Sequence, residues 1–204
     1  MRDNYRPSEL EDKLFSLLDQ MRLNELQRVE KAKEEGKEGK ETEYYIHGLC
    51  AVLGYDPKEH APYFDFAAGE DIFRAQDLYL KDSDALQALE EAMKIDGAIL
   101  INSEGKLMHS GKYMLSDMKK VYSTNKEALA TYKYLQEASD AGTRHIAAIA
   151  LSAQQPDLLF YTLKSDYPEL RVFKGGQIVR STVSGEVERY NAPASTSEEL
   201  ICNY

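Results

Sequence analysis

The most constraining feature of the sequence is a helical segment, residues 146–153, that consists almost entirely of alanine, isoleucine and leucine. A helix that is apolar on all sides is stable in water only when other elements cover it. Two further apolar runs, residues 95–101 and 158–163, are typical of strands buried on both faces of a sheet. The sequence therefore predicts an α/β fold.

Hydrophobic periodicity predicts most of the other elements. Leucine, methionine and valine recur at three- and four-residue steps between residues 7 and 33, which predicts a long first helix that packs onto the rest of the chain. Further predicted elements are helices over 44–53, 83–94 and 124–139, and a β-hairpin around Gly175-Gly176.

A charged run, residues 31–41, is either a solvated end of the first helix or a linker. From the order of the predicted elements we expect a helical appendage over 1–82 with a regulatory or oligomerising role, an α/β domain over 83–190 and a loose tail over 191–204.

The net charge of −10 argues against non-specific binding to DNA or to an anionic membrane. No stretch approaches the roughly 18 apolar residues of a membrane-spanning helix, and residues 1–7 lack the apolar core of a signal peptide. Cys50 and Cys202 lie far apart, with no ligand partners at metal-site spacing. We expect a cytoplasmic protein that binds neither nucleic acid nor membranes.

Asp96-Gly97-Ala98 is the first motif whose residues could take part in binding or catalysis. An aspartate in an apolar strand is costly unless its carboxylate has a partner or faces a wet cleft. A glycine beside it allows a backbone or a ligand to approach closely. The alternative is an aspartate that caps a turn where the strand begins.

Gly142-Thr143-Arg144-His145 is the second motif, and it precedes the apolar helix. Free backbone N–H groups at a helix N-terminus form a natural phosphate site. Arg144 can bind phosphate oxygens bidentately, and His145 can bind a metal or a phosphate. The alternative is a threonine-capped helix with a surface arginine and a partly buried histidine.

The two motifs, in this order, resemble the diadenylate cyclase family over about residues 85–183. The resemblance implies a central mixed sheet flanked by helices. It also implies that Asp96 promotes attack of a ribose 3′-hydroxyl on an α-phosphate. The other residues that it implicates in nucleotide binding are Gly97, Ala98, Gly142, Thr143, Arg144, His145 and Ser165. It implies Mg²⁺ or Mn²⁺ as cofactor, with His145 and Asp166 as metal ligands.

The sequence departs from the family pattern in three respects. Ile146 stands where the family has a second arginine, so one phosphate-binding cation is missing; Lys164, Arg171 and Lys174 are the candidate substitutes. Ser165 and Asp166 match only part of the usual Ser-Glu-Glu segment. An additional helix is expected within residues 121–141.

These motifs support three functional hypotheses. The first is an enzyme that condenses two ATP into cyclic di-AMP and two pyrophosphates, in a homodimer or larger homo-oligomer whose active sites meet face to face. The second is a catalytically weak or inactive nucleotide-binding module of the same fold. The third treats the first helix as an oligomerisation element, because helical appendages in this family can control oligomeric state. His47, His60 and His109 share no spacing that predicts a metal cluster.

Overall fold

The computed structural model describes residues 8–37, 48–66, 71–138, 142–164 and 168–191. Its strands are β1 (Leu49–Leu53), β2 (Phe64–Phe66), β3 (Ala98–Ile101), β4 (Leu107–Met114), β5 (Leu159–Leu163), β6 (Leu170–Lys174) and β7 (Gln177–Ser181). Its helices are α1 (Glu9–Glu34), α2 (Pro57–His60), α3 (Ala85–Met93), α4 (Met118–Thr124), α5 (Lys126–Glu137), α6 (Thr143–Gln154) and α7 (Glu186–Asn191).

The strands form one mixed sheet in the order β2-β4-β3-β1-β5-β6-β7. Strands β1 and β3 are parallel, and the other neighbouring strands are antiparallel. The predicted α/β class, with a mixed central sheet and flanking helices, is confirmed.

Each face of the sheet carries its own hydrophobic core. On one face, α1 and α3 contribute Leu14, Leu18 and Leu89 to the core. On the other face, α4, α5 and α6 cover the sheet, and α6 supplies a continuous buried run from Ala148 to Leu151. The prediction that the apolar segment 146–153 is a buried helix is therefore confirmed.

Helix α1 begins at a capping box. The Ser8 hydroxyl accepts a hydrogen bond from the Glu11 N–H, and the Glu11 carboxylate accepts one from the Ser8 N–H. Its apolar stripe lies against the sheet, where Leu14 and Leu18 are completely buried. The predicted long, packed first helix is confirmed.

The predicted helix over 44–53 is wrong for residues 49–53, which form β1 at the centre of the sheet. All five residues are buried because helices cover both faces here. A short, fully buried run lacks the alternation that distinguishes a strand from a helix. Strands β1 and β2 thus share one sheet with the strands after residue 83, and a regulatory or oligomerising role for 1–82 stays a prediction.

The helices predicted over 83–94 and 124–139 correspond to α3 and α5, and the hairpin at Gly175-Gly176 joins β6 to β7. The region before the second motif holds two helices, α4 and α5, rather than one additional helix. His47, Ser165, Asp166, Cys202 and residues 192–204 lie outside the described residues. Within the described ranges, no helix combines the length and the apolar character needed to cross a membrane.

Candidate functional site

A cleft of about 600 Å³ opens at the edge of the sheet where parallel strands β1 and β3 begin, a size typical of small-molecule sites. Its lining comes from β1, β3, β4 and the first two turns of α6: Cys50, Asp96, Gly97, Ala98, Lys112, Tyr113, Met114, Leu115, Thr143, Arg144 and Ala147. The two sequence motifs therefore lie in one cleft.

Asp96 and Arg144 form an ion pair across this cleft, although 48 positions separate them in the chain. Arg144 Nη2 lies 2.6 Å from Asp96 Oδ1, and the two side chains are 38% and 68% exposed. The same Asp96 oxygen accepts a hydrogen bond from the Gly97 N–H at 2.9 Å. Asp96 thus caps the turn before β3, and it also presents its carboxylate to the cleft.

Gly97 brings β3 close to the backbone of β4. Its φ is +113°, and a Cβ atom here would lie 2.7 Å from the Lys112 backbone nitrogen. A side chain at residue 97 would therefore force the floor of the cleft apart. This is the close backbone approach that the sequence predicted for the glycine.

Helix α6 directs its N-terminus at the cleft. Gly142 is its N-cap residue and has no side chain to cap the first turn, so backbone N–H groups at this end can donate to a ligand. Thr143 and Arg144 line the cleft beside them. A twelve-residue helix adds a positive partial charge at this terminus, which favours an anion.

His145 does not reach the cleft. It is only 3% exposed, and its ring contacts the Phe173 ring edge to face on the buried side of α6. This placement matches the alternative of a buried histidine more closely than a ligand role. Ser165 and Asp166, the other two residues expected near the phosphates and the metal, fall outside the described residues.

Two residues of the cleft lining were not predicted from the sequence. Cys50 lies at the floor, where burial raises the pKa of its thiol to about 12 and the Arg144 charge lowers it by less. The thiol therefore stays protonated near neutral pH and is a poor nucleophile. Lys112 is the second residue; it lies on β4, which also carries His109, Ser110 and Tyr113, so no break in an apolar pattern marked it in the sequence.

None of the three proposed substitutes for the missing arginine lines the cleft. Arg171 is 1% exposed and lies 3.0 Å from Glu186 and 2.9 Å from Glu169, so it is committed to a buried ion pair. Lys164 and Lys174 are also absent from the lining. Of the described cations, Arg144 and Lys112 face the cleft.

Metal binding is possible at two places among the described residues. In the cleft, the Asp96 carboxylate is a ligand of the type that Mg²⁺ takes together with substrate phosphates. Elsewhere, Glu59, His60 and Asp157 place ligand atoms within 4.8 Å of one another. However, His60 Nδ1 accepts from the Asp56 N–H, and Nε2 lies 3.0 Å from Asp157. These bonds give His60 a structural role that joins α2 to the loop before β5.

No known protein-family profile matches the chain. A diadenylate cyclase from Methanocaldococcus jannaschii is 27% identical over 170 residues, which cover 83% of this chain. The chain spans about half the length of that relative, 48%. The chain is therefore similar in sequence to a diadenylate cyclase, which is the resemblance that the two motifs predicted.

One solved structure shares the fold. The crystal structure of a hypothetical membrane-spanning protein from Bacillus cereus aligns with a TM-score of 0.51 and 14% identity, over 84% of this chain and 62% of that one. A DacA double mutant from Staphylococcus aureus gives a TM-score of 0.43 and 14% identity, over 87% and 93% of the two chains. The second score is too low to support any conclusion.

Proposed function

We propose that the chain is a diadenylate cyclase that joins two ATP molecules into cyclic di-AMP and releases two pyrophosphates. One observation carries this proposal. Asp96 and Arg144, the central residues of the two motifs, meet at 2.6 Å in a cleft of nucleotide size at the N-terminus of α6. The sequence relationship to a diadenylate cyclase supports the same function.

The cleft offers a distinct group for each part of the substrate. The α6 N-terminus and Arg144 would bind the triphosphate, because the helix dipole and the guanidinium group both attract its negative charge. When Arg144 binds phosphate oxygens instead of Asp96, the Asp96 carboxylate would be available to accept the 3′-hydroxyl proton. The 3′-oxygen then bonds to the α-phosphorus of the other ATP, and the bond to pyrophosphate breaks.

Mg²⁺ or Mn²⁺ fits this arrangement with Asp96 and the ATP phosphates as ligands, and it would neutralise charge on the transferred phosphoryl group. We do not assign His145 to it, because this side chain is buried against Phe173.

Each 3′-hydroxyl must attack the other nucleotide, so the reaction requires two copies of the cleft face to face. The cleft mouth suits such a contact. Tyr113 and Leu115 line the cleft and are each 46% exposed, and the nearby Met118 is 40% exposed. We therefore propose a homodimer, or a larger homo-oligomer, through this face.

A nucleotide-binding module without turnover is the second candidate. Ile146 removes one phosphate-binding cation, and Arg171, buried with Glu186, cannot replace it. The cleft would then hold ATP through Arg144 without stabilising the charge that develops during phosphoryl transfer.

The decisive experiment is incubation of the purified chain with ATP and Mn²⁺ or Mg²⁺, followed by chromatography and mass spectrometry for cyclic di-AMP. We expect product from the wild type and at least a hundredfold less from Asp96→Asn, since general-base assistance is worth about 10²–10⁴-fold. Asp77→Asn is the matched control, because Asp77 is also exposed and ion-paired, to Lys106 at 2.7 Å, outside the cleft.

Each other result has a defined meaning. ATP binding without product, abolished by Arg144→Ala, would replace the cyclase with the binding module. Equal product from wild type and Asp96→Asn would exclude the assigned role of Asp96. Absence of both product and ATP binding would exclude both functions, and the similarity to the diadenylate cyclase would then concern ancestry and fold alone.

A further inference from the structure

Lys112 lies on the same face of the sheet as the other residues of the cleft floor. Strand register pairs it with Ala98 on β3, and Ala98 in turn with Cys50 on β1. Residues paired in this way point to the same side of a sheet. Lys112 lines the cleft from β4 and is only 6% exposed, so its charge acts in a water-poor environment where it is strong.

The order of the strands in the sheet shows where each residue lies along the length of the cleft. Arg144 lies over the starts of β1 and β3, because Nη1 is 2.9 Å from the position of a Cβ at residue 48 and Nη2 contacts Asp96. Strand β4 follows on the far side of β3. The cleft therefore runs from Arg144 through Asp96 to Lys112, where Met114 and Leu115 add apolar surface.

Charged groups surround the ammonium group of Lys112. Burial lowers its pKa, and the charges of Asp71 and Asp65 offset this only in part, while that of Arg74 lowers it further. The N–H groups of a lysine donate hydrogen bonds. An acceptor atom of a ligand therefore suits the position beside it.

We propose that Lys112 contacts the nucleobase and donates a hydrogen bond to an acceptor nitrogen of the purine ring. This inference rests on the proposed function: if Arg144 binds the phosphates and Asp96 lies at the ribose, the base extends toward Lys112. Purine ring nitrogens accept hydrogen bonds, and the apolar side chains beside Lys112 suit the ring faces. Lys112 thus contributes to base recognition rather than to phosphate binding.

The test measures binding of the nucleoside part and of the phosphate part of ATP separately. Binding of adenosine, which has no phosphate, and of inorganic tripolyphosphate, which has no base, is measured by titration followed by NMR. We expect Lys112→Met to weaken adenosine binding by about tenfold or more, the usual effect of losing a hydrogen bond from a charged group, and to change tripolyphosphate binding less than about twofold. Arg144→Ala should show the reverse pattern.

Lys133→Met, at an exposed lysine on α5, is the matched control and should change neither affinity. Unchanged tripolyphosphate binding also shows that Lys112→Met is folded; if this variant does not fold, Lys112→Gln, which keeps an N–H donor without the charge, is compared with Lys112→Leu. Loss of tripolyphosphate affinity with normal adenosine binding would overturn the proposal in favour of a phosphate contact. Normal binding of both would overturn it while leaving the cyclase proposal intact. A wild type that binds tripolyphosphate but not adenosine would overturn the base contact, whereas the ATP assay decides the cyclase proposal separately.

Discussion

Gly48 lies against the guanidinium group of Arg144, and a Cβ at this position would come within 2.9 Å of Nη1. The guanidinium is the flexible end of its side chain, so Gly48→Ala should move it rather than disrupt the backbone. We expect ATP binding to weaken several-fold, while the free energy of unfolding changes by less than about 1 kcal/mol. Calorimetric titration and urea unfolding measure the two quantities.

A double-mutant cycle provides the control. If Gly48 acts through Arg144, Gly48→Ala should have no further effect on ATP binding in an Arg144→Ala background. Additive losses would show that residue 48 influences the cleft by another route.

At this scale the sequence indicated which two motifs meet better than it indicated their surroundings. Asp96 and Arg144 were recognisable because each belongs to a motif, and the structure brings the two side chains together in one cleft. Lys112 was missed because the bulge between β3 and β4 determines which way residue 112 points. His145 was predicted to bind phosphate and metal, and the structure shows its ring packed against Phe173 and buried.

Among the elements, β6 and α7 are joined by a buried ion pair between Arg171 and Glu186, whose side chains are 1% and 2% exposed. Arg171→Met would leave the Glu186 charge buried without its main partner. We expect this change to lower the free energy of unfolding by about 3–5 kcal/mol. Lys106→Met, which breaks the exposed pair with Asp77, should have a much smaller effect because water screens this pair.

Adding Glu186→Leu to Arg171→Met should restore part of the lost stability, because the variant no longer buries this unpaired charge. Urea denaturation of the three proteins tests this expectation. Equal stability of wild type and Arg171→Met would show that the ion pair does not hold α7 in place.

Elements with clear periodicity or turn chemistry, such as α1 and the β6–β7 hairpin, were predicted from the sequence. Strand β1 was not, because its five buried residues fit a covered helix as well as a covered strand. Only its pairing with β3 and β5, which are distant in the chain, distinguishes the two.

For the molecule as a whole, α1 is a structural layer and not a detachable appendage. Leu14 and Leu18 are fully buried against the sheet, and Arg180 on β7 contacts both the Phe15 ring and Asp12. Deleting residues 1–40 would therefore uncover one of the two cores. The proposed homo-oligomer through the cleft face is tested on the full chain, by light scattering of variants at Leu115.

Leu18→Ala measures the contribution of this layer. We expect a loss of about 2–5 kcal/mol in the free energy of unfolding, the usual cost of truncating a buried leucine. Leu23→Ala, at a position on the same helix that is 38% exposed, should cost much less. Similar small losses in both variants would show that α1 contributes little to stability.

The central position of β1 also affects how the chain folds. During synthesis, the apolar strand Leu49–Leu53 emerges before both of its partners, β3 and β5, have been made. Such non-local pairing is slow to form, and until it forms an aggregation-prone apolar segment stays exposed. The floor of the cleft, which includes Cys50, is therefore completed only after β3 and β4 have been synthesised and paired.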